Sequence, residues 1–129
     1  MKENTKLKHV ALQYTDKSEA EVFFGKILGL EKVKTFDLSK ELSDKIFEIK
    51  NEVSVDVYSN ESSYFEIFYT KDVKKPSYEH VCIEVDNKEE FVNRCKKFNI
   101  DPIFVKKGEK ELLFVKDFSG NLFEVTDSK

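Results

Sequence analysis

Hydrophobic positions along this chain switch between two periods, and they do so twice in nearly the same order. Residues 7–14, LKHVALQY, alternate as a strand does. Ala20, Phe23, Phe24, Ile27 and Leu28 then fall on one side of a helix over 17–28, with Asp16 or Ser18 as its cap and Gly29 as its stop. LEKVKTF (30–36), EVSVDVYS (52–59) and SYFEIFYT (63–70) read as strands, the last two joined by a turn at Asn60 and Glu61. Between the first two, SKELSDKIFEI (39–49) follows Leu38 and places Leu42, Ile46 and Ile49 at helical spacing, which predicts a short helix. KDVKKPS (71–77) is polar and aperiodic, a linker. The order then returns: a strand over 78–86, a helix over 88–98 capped by Asn87, and strands over 101–107, 110–117 and 121–127. Gly108 turns one pair of these strands and Ser119-Gly120-Asn121 the other.

Each half is thus a strand, a helix and three more strands, which predicts an α+β chain built by internal duplication. One domain over 1–129 contains modules at 5–70 and 78–127. At 129 residues, 40% of them hydrophobic and 12 of them Phe, there is enough apolar surface for one core. The net charge of −3 argues against a nucleic-acid partner. Arg94 is the single arginine, so bidentate guanidinium clamps on anions are nearly unavailable. No apolar run reaches bilayer length and MKENTKLKHV lacks a secretory h-region, which gives a soluble cytoplasmic protein with no membrane partner as the expectation. Cys82 and Cys95 form no CxxC pair, and Cys95 reads as a small core residue.

The repeat extends to chemistry. HVALQYTD opens at His9 and HVCIEVD at His80, and these are the chain's two histidines. The last strand of each half carries Phe-Glu-aliphatic, at Glu66 and at Glu124. Side chains alternate across a strand, so Val10, Leu12 and Tyr14 share one face and His9, Ala11 and Gln13 the other. Val81, Ile83 and Val85 oppose His80, Cys82 and Glu84 in the same way. Phe65, Ile67 and Tyr69 oppose Glu66, with Tyr64 and Phe68. Phe123 and Val125 oppose Glu124, with Leu122 and Thr126. The apolar faces should pack on the helices, and the mixed faces suit a wet concave cavity. Taken singly, each of the four residues fits an ordinary strand position. Repeated with the same parity, two imidazoles and two carboxylates are a divalent-metal set with room for water or substrate. Zn, Ni, Co, Mn and Fe are all compatible with it. Gln13, Tyr64, Cys82 and Glu84 are pocket candidates, whereas Tyr58, Phe47 and Phe114 read as core, and the lysines of 71–75 and 106–110 as solvated loops.

With these residues in place the chain resembles the vicinal oxygen chelate superfamily, which includes glyoxalase I, methylmalonyl-CoA epimerase, extradiol dioxygenases and bleomycin and fosfomycin resistance proteins. The resemblance runs through KHVALQYTD, VFFGKILGLE (22–31), FEIF (65–68), EHVCIEVD and DFSGNLFEV (117–125), the last with Phe118 where the family usually has Pro. It implies two βαβββ modules curled into an open, mixed half-barrel sheet with the helices on its outer face. It also implies one divalent ion held by His9, Glu66, His80 and Glu124, as in glyoxalase I, with Glu66 or Glu124 moving a proton on the way through an enediolate. The function so implied is a metal-dependent lyase or isomerase acting on a small oxygen-chelating molecule, commonly as a homodimer. An epimerase or dioxygenase on the same scaffold, and a non-catalytic binding or resistance protein, are the other readings. Whether one chain or two would complete the site is open at this point.

Overall fold

A computed structural model describes residues 7–73 and 78–128; residues 74–77 of the expected linker lie outside them. The elements are β1 (Val10–Tyr14), α1 (Lys17–Ala20, continuing as π-helical turns over Glu21–Ile27), β2 (Glu31–Leu38), α2 (Lys40–Phe47), β3 (Val53–Ser59), β4 (Tyr64–Tyr69), β5 (His80–Val85), α3 (Lys88–Lys97), β6 (Ile103–Lys107), β7 (Lys110–Lys116) and β8 (Leu122–Asp127). They form two four-stranded mixed sheets, ordered β1-β4-β3-β2 and β5-β8-β7-β6. In each, the first strand lies parallel to the last, and the remaining pairs are antiparallel.

Of the two cap candidates for α1, Asp16 takes the position: its Oδ1 accepts from the amides of Ser18 at 2.8 Å and Glu19 at 3.3 Å. The Leu28 amide then reaches back five residues to the Phe23 carbonyl at 2.9 Å, a π-type bond. The widened turn carries Phe23, Phe24 and Ile27 all to full burial. Gly29 ends the helix with φ +73°, where a side chain would be strained. Asn87 caps α3 by accepting from the Glu90 amide at 2.9 Å.

The apolar faces foreseen for β1, β4, β5 and β8 enter one core, together with α1 and α3. Phe24 sits at its centre, its ring 5.2 Å from Phe23, 5.3 Å from Phe65, 5.6 Å from both Tyr14 and Tyr58, and 6.4 Å from Phe123. Phe65 of the first sheet and Phe123 of the second stand 6.3 Å apart. Both sheets therefore turn their apolar faces into the same core, and their other faces look outward from it.

Helix α2 departs from the expected placement of the helices, because it does not join α1 and α3 on the apolar, core-facing side of the sheets. It lies over the outward face of the first sheet, with the Phe47 ring edge-on to Phe68 at 5.5 Å. Its apolar residues are not the buried ones: Leu42, Ile46 and Ile49 are 49%, 60% and 45% exposed, while Ser43 is 2% exposed. Val55 and Val57 of β3, which pair with Phe68 and Glu66, are fully buried. Phe47, expected in the core, is about half exposed over this face, and Phe114 pairs across from Glu124 on the corresponding face of the second sheet. Tyr58 is buried, as its sequence position suggested.

A buried carboxylate anchors the edge of the first sheet. Asp56 accepts from Thr35 Oγ1 at 2.6 Å and from the Tyr69 hydroxyl at 2.7 Å, and Lys32 Nζ lies 3.5 Å away. Burial alone would push its pKa up; the two hydroxyl bonds and the lysine outweigh it and leave the pKa below the ordinary value. A folded pKa below the unfolded one contributes stability that is complete above the unfolded value of about 3.9 and is lost as the pH falls through the folded one. Asp56→Ala is expected to cost about 2 kcal/mol at neutral pH, since it leaves the part-buried Thr35 and Tyr69 hydroxyls without their acceptor, while Lys32 keeps Glu21 at 3.0 Å. Thermal melts at pH 7 and pH 3 check this: the gap between wild type and variant should narrow at the lower pH.

Candidate metal centre

The strands place the four predicted residues as two matching pairs. Register sets Ala11 beside Glu66 in the first sheet and Cys82 beside Glu124 in the second, so each histidine stands two residues before the partner of its glutamate. His9 Nε2 lies 3.5 Å from Glu66 Oε1, and His80 Nε2 lies 3.7 Å from Glu124 Oε1. All four side chains are on the outward faces and are partly open to solvent.

His80 Nδ1 lies 3.1 Å from the Tyr78 carbonyl oxygen, which can only accept, so in the neutral ring the proton sits on Nδ1. The Nε2 lone pair then faces the Glu124 carboxylate, acceptor against acceptor, at 3.7 Å. A cation between them satisfies both. Two bonds of about 2.1 Å at a tetrahedral angle span roughly 3.4 Å, close to both separations. The carbonyl behind His80 supplies the outer hydrogen bond that metal-binding histidines usually make. The donor types and spacing of each pair thus fit a divalent ion, though each offers only two ligands.

One chain does not bring the four together: among the described residues no group of three or more His, Cys, Asp or Glu side chains is placed to hold a metal. The reason is the shared core, which faces both pairs outward from it. Of the flanking candidates, the Tyr64 ring stands 6.0 Å from His9. Cys82 is exposed beside Glu124, where partial burial and the nearby carboxylate push its thiol up. Glu84 is exposed on the same strand face. Burial pushes the Cys95 thiol up to about 11, which keeps it protonated and inert in the core. Gln13 lines a cavity of about 920 Å³ between the first sheet and α2, together with Ser43, Phe47 and Ile49. Sequence reasoning missed these three residues of α2 and the segment after it, and Lys71 and Asp72 of the expected solvated loop also reach the cavity. The DFSGN turn positions Glu124: Asp117 Oδ1 accepts from the amides of Ser119 at 3.1 Å and Asn121 at 2.7 Å, and Asn121 Nδ2 donates to Asp117 Oδ2 at 2.8 Å. Phe118 in place of proline leaves that turn intact.

No helix among the described residues is long and apolar enough to cross a membrane. No curated protein matches the chain. Among solved structures, the fosfomycin resistance protein FosX from Listeria monocytogenes superposes with a TM-score of 0.73 at 14% identity, over 98% of this chain and 96% of that one. FosX from Mesorhizobium loti gives 0.70 at 14% identity, over 96% and 92%. A glyoxalase family protein from Enterococcus faecalis gives 0.71 at 19% identity, over 93% and 95%. A further Listeria FosX structure contains Mn(II) and a sulfate ion. At these identities the superpositions establish the fold, and they confirm the α+β architecture of two βαβββ modules. The model of the glyoxalase/bleomycin resistance protein/dioxygenase superfamily matches residues 8–115, and the chain belongs to that superfamily.

Proposed function

We propose that this protein is a divalent-metal-dependent, glyoxalase-like lyase or isomerase acting on a small oxygen-chelating molecule. Its site is completed when His9 and Glu66 of one copy meet His80 and Glu124 of a second. The observation that carries the reading is the pair of two-ligand half-sites at equivalent register, 3.5 Å and 3.7 Å across, on faces that look outward. A homodimer in which the first module of each copy faces the second module of the other brings four ligands to one ion, twice over. The Mn(II) bound to Listeria FosX supports a divalent ion in this fold.

When bound, the ion supplies Lewis-acid charge to two adjacent oxygens of the substrate. The chain's own residues do the rest. The Tyr78 carbonyl holds the His80 ring in one tautomer and orientation. Glu66 or Glu124 accepts a proton from the substrate carbon and returns it, the usual task of a carboxylate at such a centre.

Purification without chelator, followed by plasma mass spectrometry and sedimentation, tests the reading. We expect one divalent ion per chain and two chains per particle, with turnover in a screen that begins with methylglyoxal hemithioacetals. A metal-free monomer after reconstitution with Zn, Ni, Co, Mn and Fe would leave a binding protein as the function.

A further inference from the structure

The 920 Å³ cavity beside the first pair is lined by none of the four proposed ligands. It lies within the roughly 300–1,000 Å³ range of small-molecule sites. It begins at Ala11, the register partner of Glu66, and continues past Phe68, two residues beyond Glu66 on the same strand face. A molecule lying in it can therefore reach the His9–Glu66 pair with one end. Phe47, Ile49, Val53 and Phe68 make its walls apolar, and the Gln13 and Asn51 side-chain amides and the Ser43 hydroxyl are among its neutral polar groups.

Its charges disfavour an anion. Among the described residues, Glu52 and Asp72 line it against Lys71. The single guanidinium is occupied elsewhere: Arg94 Nε donates to the Ile27 carbonyl at 3.2 Å and the group lies 5.8 Å over the Phe91 ring. Desolvating a phosphonate or carboxylate here would go largely uncompensated.

We infer that this cavity holds the apolar body of an uncharged small molecule, with α2 as its wall. The oxygen-chelating head at the His9 end rests on the function proposed above; the neutral, apolar body follows from the cavity alone. Helix α2 is thus the specificity element of the first module, with Phe47 closing over the ligand.

The test is calorimetric titration of the metal-free whole chain with 4-phenyl-1-butanol and with 4-phenylbutylphosphonate. The alcohol is expected to bind saturably, one per chain, at least tenfold more tightly than the phosphonate. Ala11→Phe, which fills the cavity from an exposed position, is expected to remove that binding with the thermal melt unchanged. Should Ala11→Phe not fold, Phe47→Ala is to weaken binding at least tenfold. Equal or tighter binding of the phosphonate, no binding of either probe, or undiminished binding by the folded variants would overturn the inference. Because no metal is present in these titrations, their failure would leave the metal reading untouched, and failure of the metal reading would leave them interpretable.

Discussion

His80→Ala is expected to weaken divalent-metal binding on the order of a thousandfold while leaving the fold unchanged. The side chain is 44% exposed, so its removal opens no core cavity, and the metal-free variant should melt within the narrow range of ordinary surface substitutions, about 0.5 kcal/mol. What is lost is one of the four proposed ligands, and the one whose orientation is fixed from behind by the Tyr78 carbonyl. A loss of about 4 kcal/mol in metal binding corresponds to roughly a factor of a thousand. Competition against a chelator of known affinity measures it. His80→Gln, which retains polarity but not the imidazole nitrogen at its place, should behave like the alanine variant. Unaltered affinity in both would remove His80 from the site.

Phe24→Ala is expected to destabilise the whole chain by about 4 kcal/mol, the range for buried phenylalanine. Phe24 is fully buried and touches aromatic rings from both modules, including Phe65 and Phe123. The cavity left behind therefore lies between the two sheets, where neither can collapse into it alone. At about 4 °C per kcal/mol for a chain of this size, the melting temperature should fall by roughly 15 °C. The transition should remain single, because one core serves both modules. Two separated transitions would show that each module carries its own.

The strands β1, β4, β5 and β8 were legible because each presents one wholly apolar face to the core, and that same parity isolated His9, Glu66, His80 and Glu124. Helices α1 and α3 were legible for the same reason, their apolar residues meeting a core with no alternative. Helix α2 was half legible. Its extent is set by Ser39, whose Oγ accepts from the Leu42 amide at 3.2 Å, and by Glu48 in the left-handed region at φ 59°. Its rotation was not, because Leu42 and Ile46 are more apolar than the Ser43–Phe47 side that turns toward the sheet. Helical spacing assumes that the apolar side is the buried side, and that assumption weakens for a helix that covers a cavity. That the two His–Glu pairs would stay apart within one chain was invisible too. It depends on Phe65 meeting Phe123 across 58 positions of sequence, and no local pattern encodes such a contact. The carbonyl behind His80 belongs to the backbone and has no residue signature at all.

Co-expression of two inactive variants tests the shared site most directly. One carries His9→Ala with Glu66→Ala, the other His80→Ala with Glu124→Ala. In the arrangement proposed here each variant alone binds no metal, but a mixed dimer contains one intact set of four ligands and one with none. The mixed dimer, isolated by two affinity tags, is predicted to hold one ion per two chains and to recover about half of the wild-type activity per dimer. A mixed dimer as empty as its parents would contradict the account.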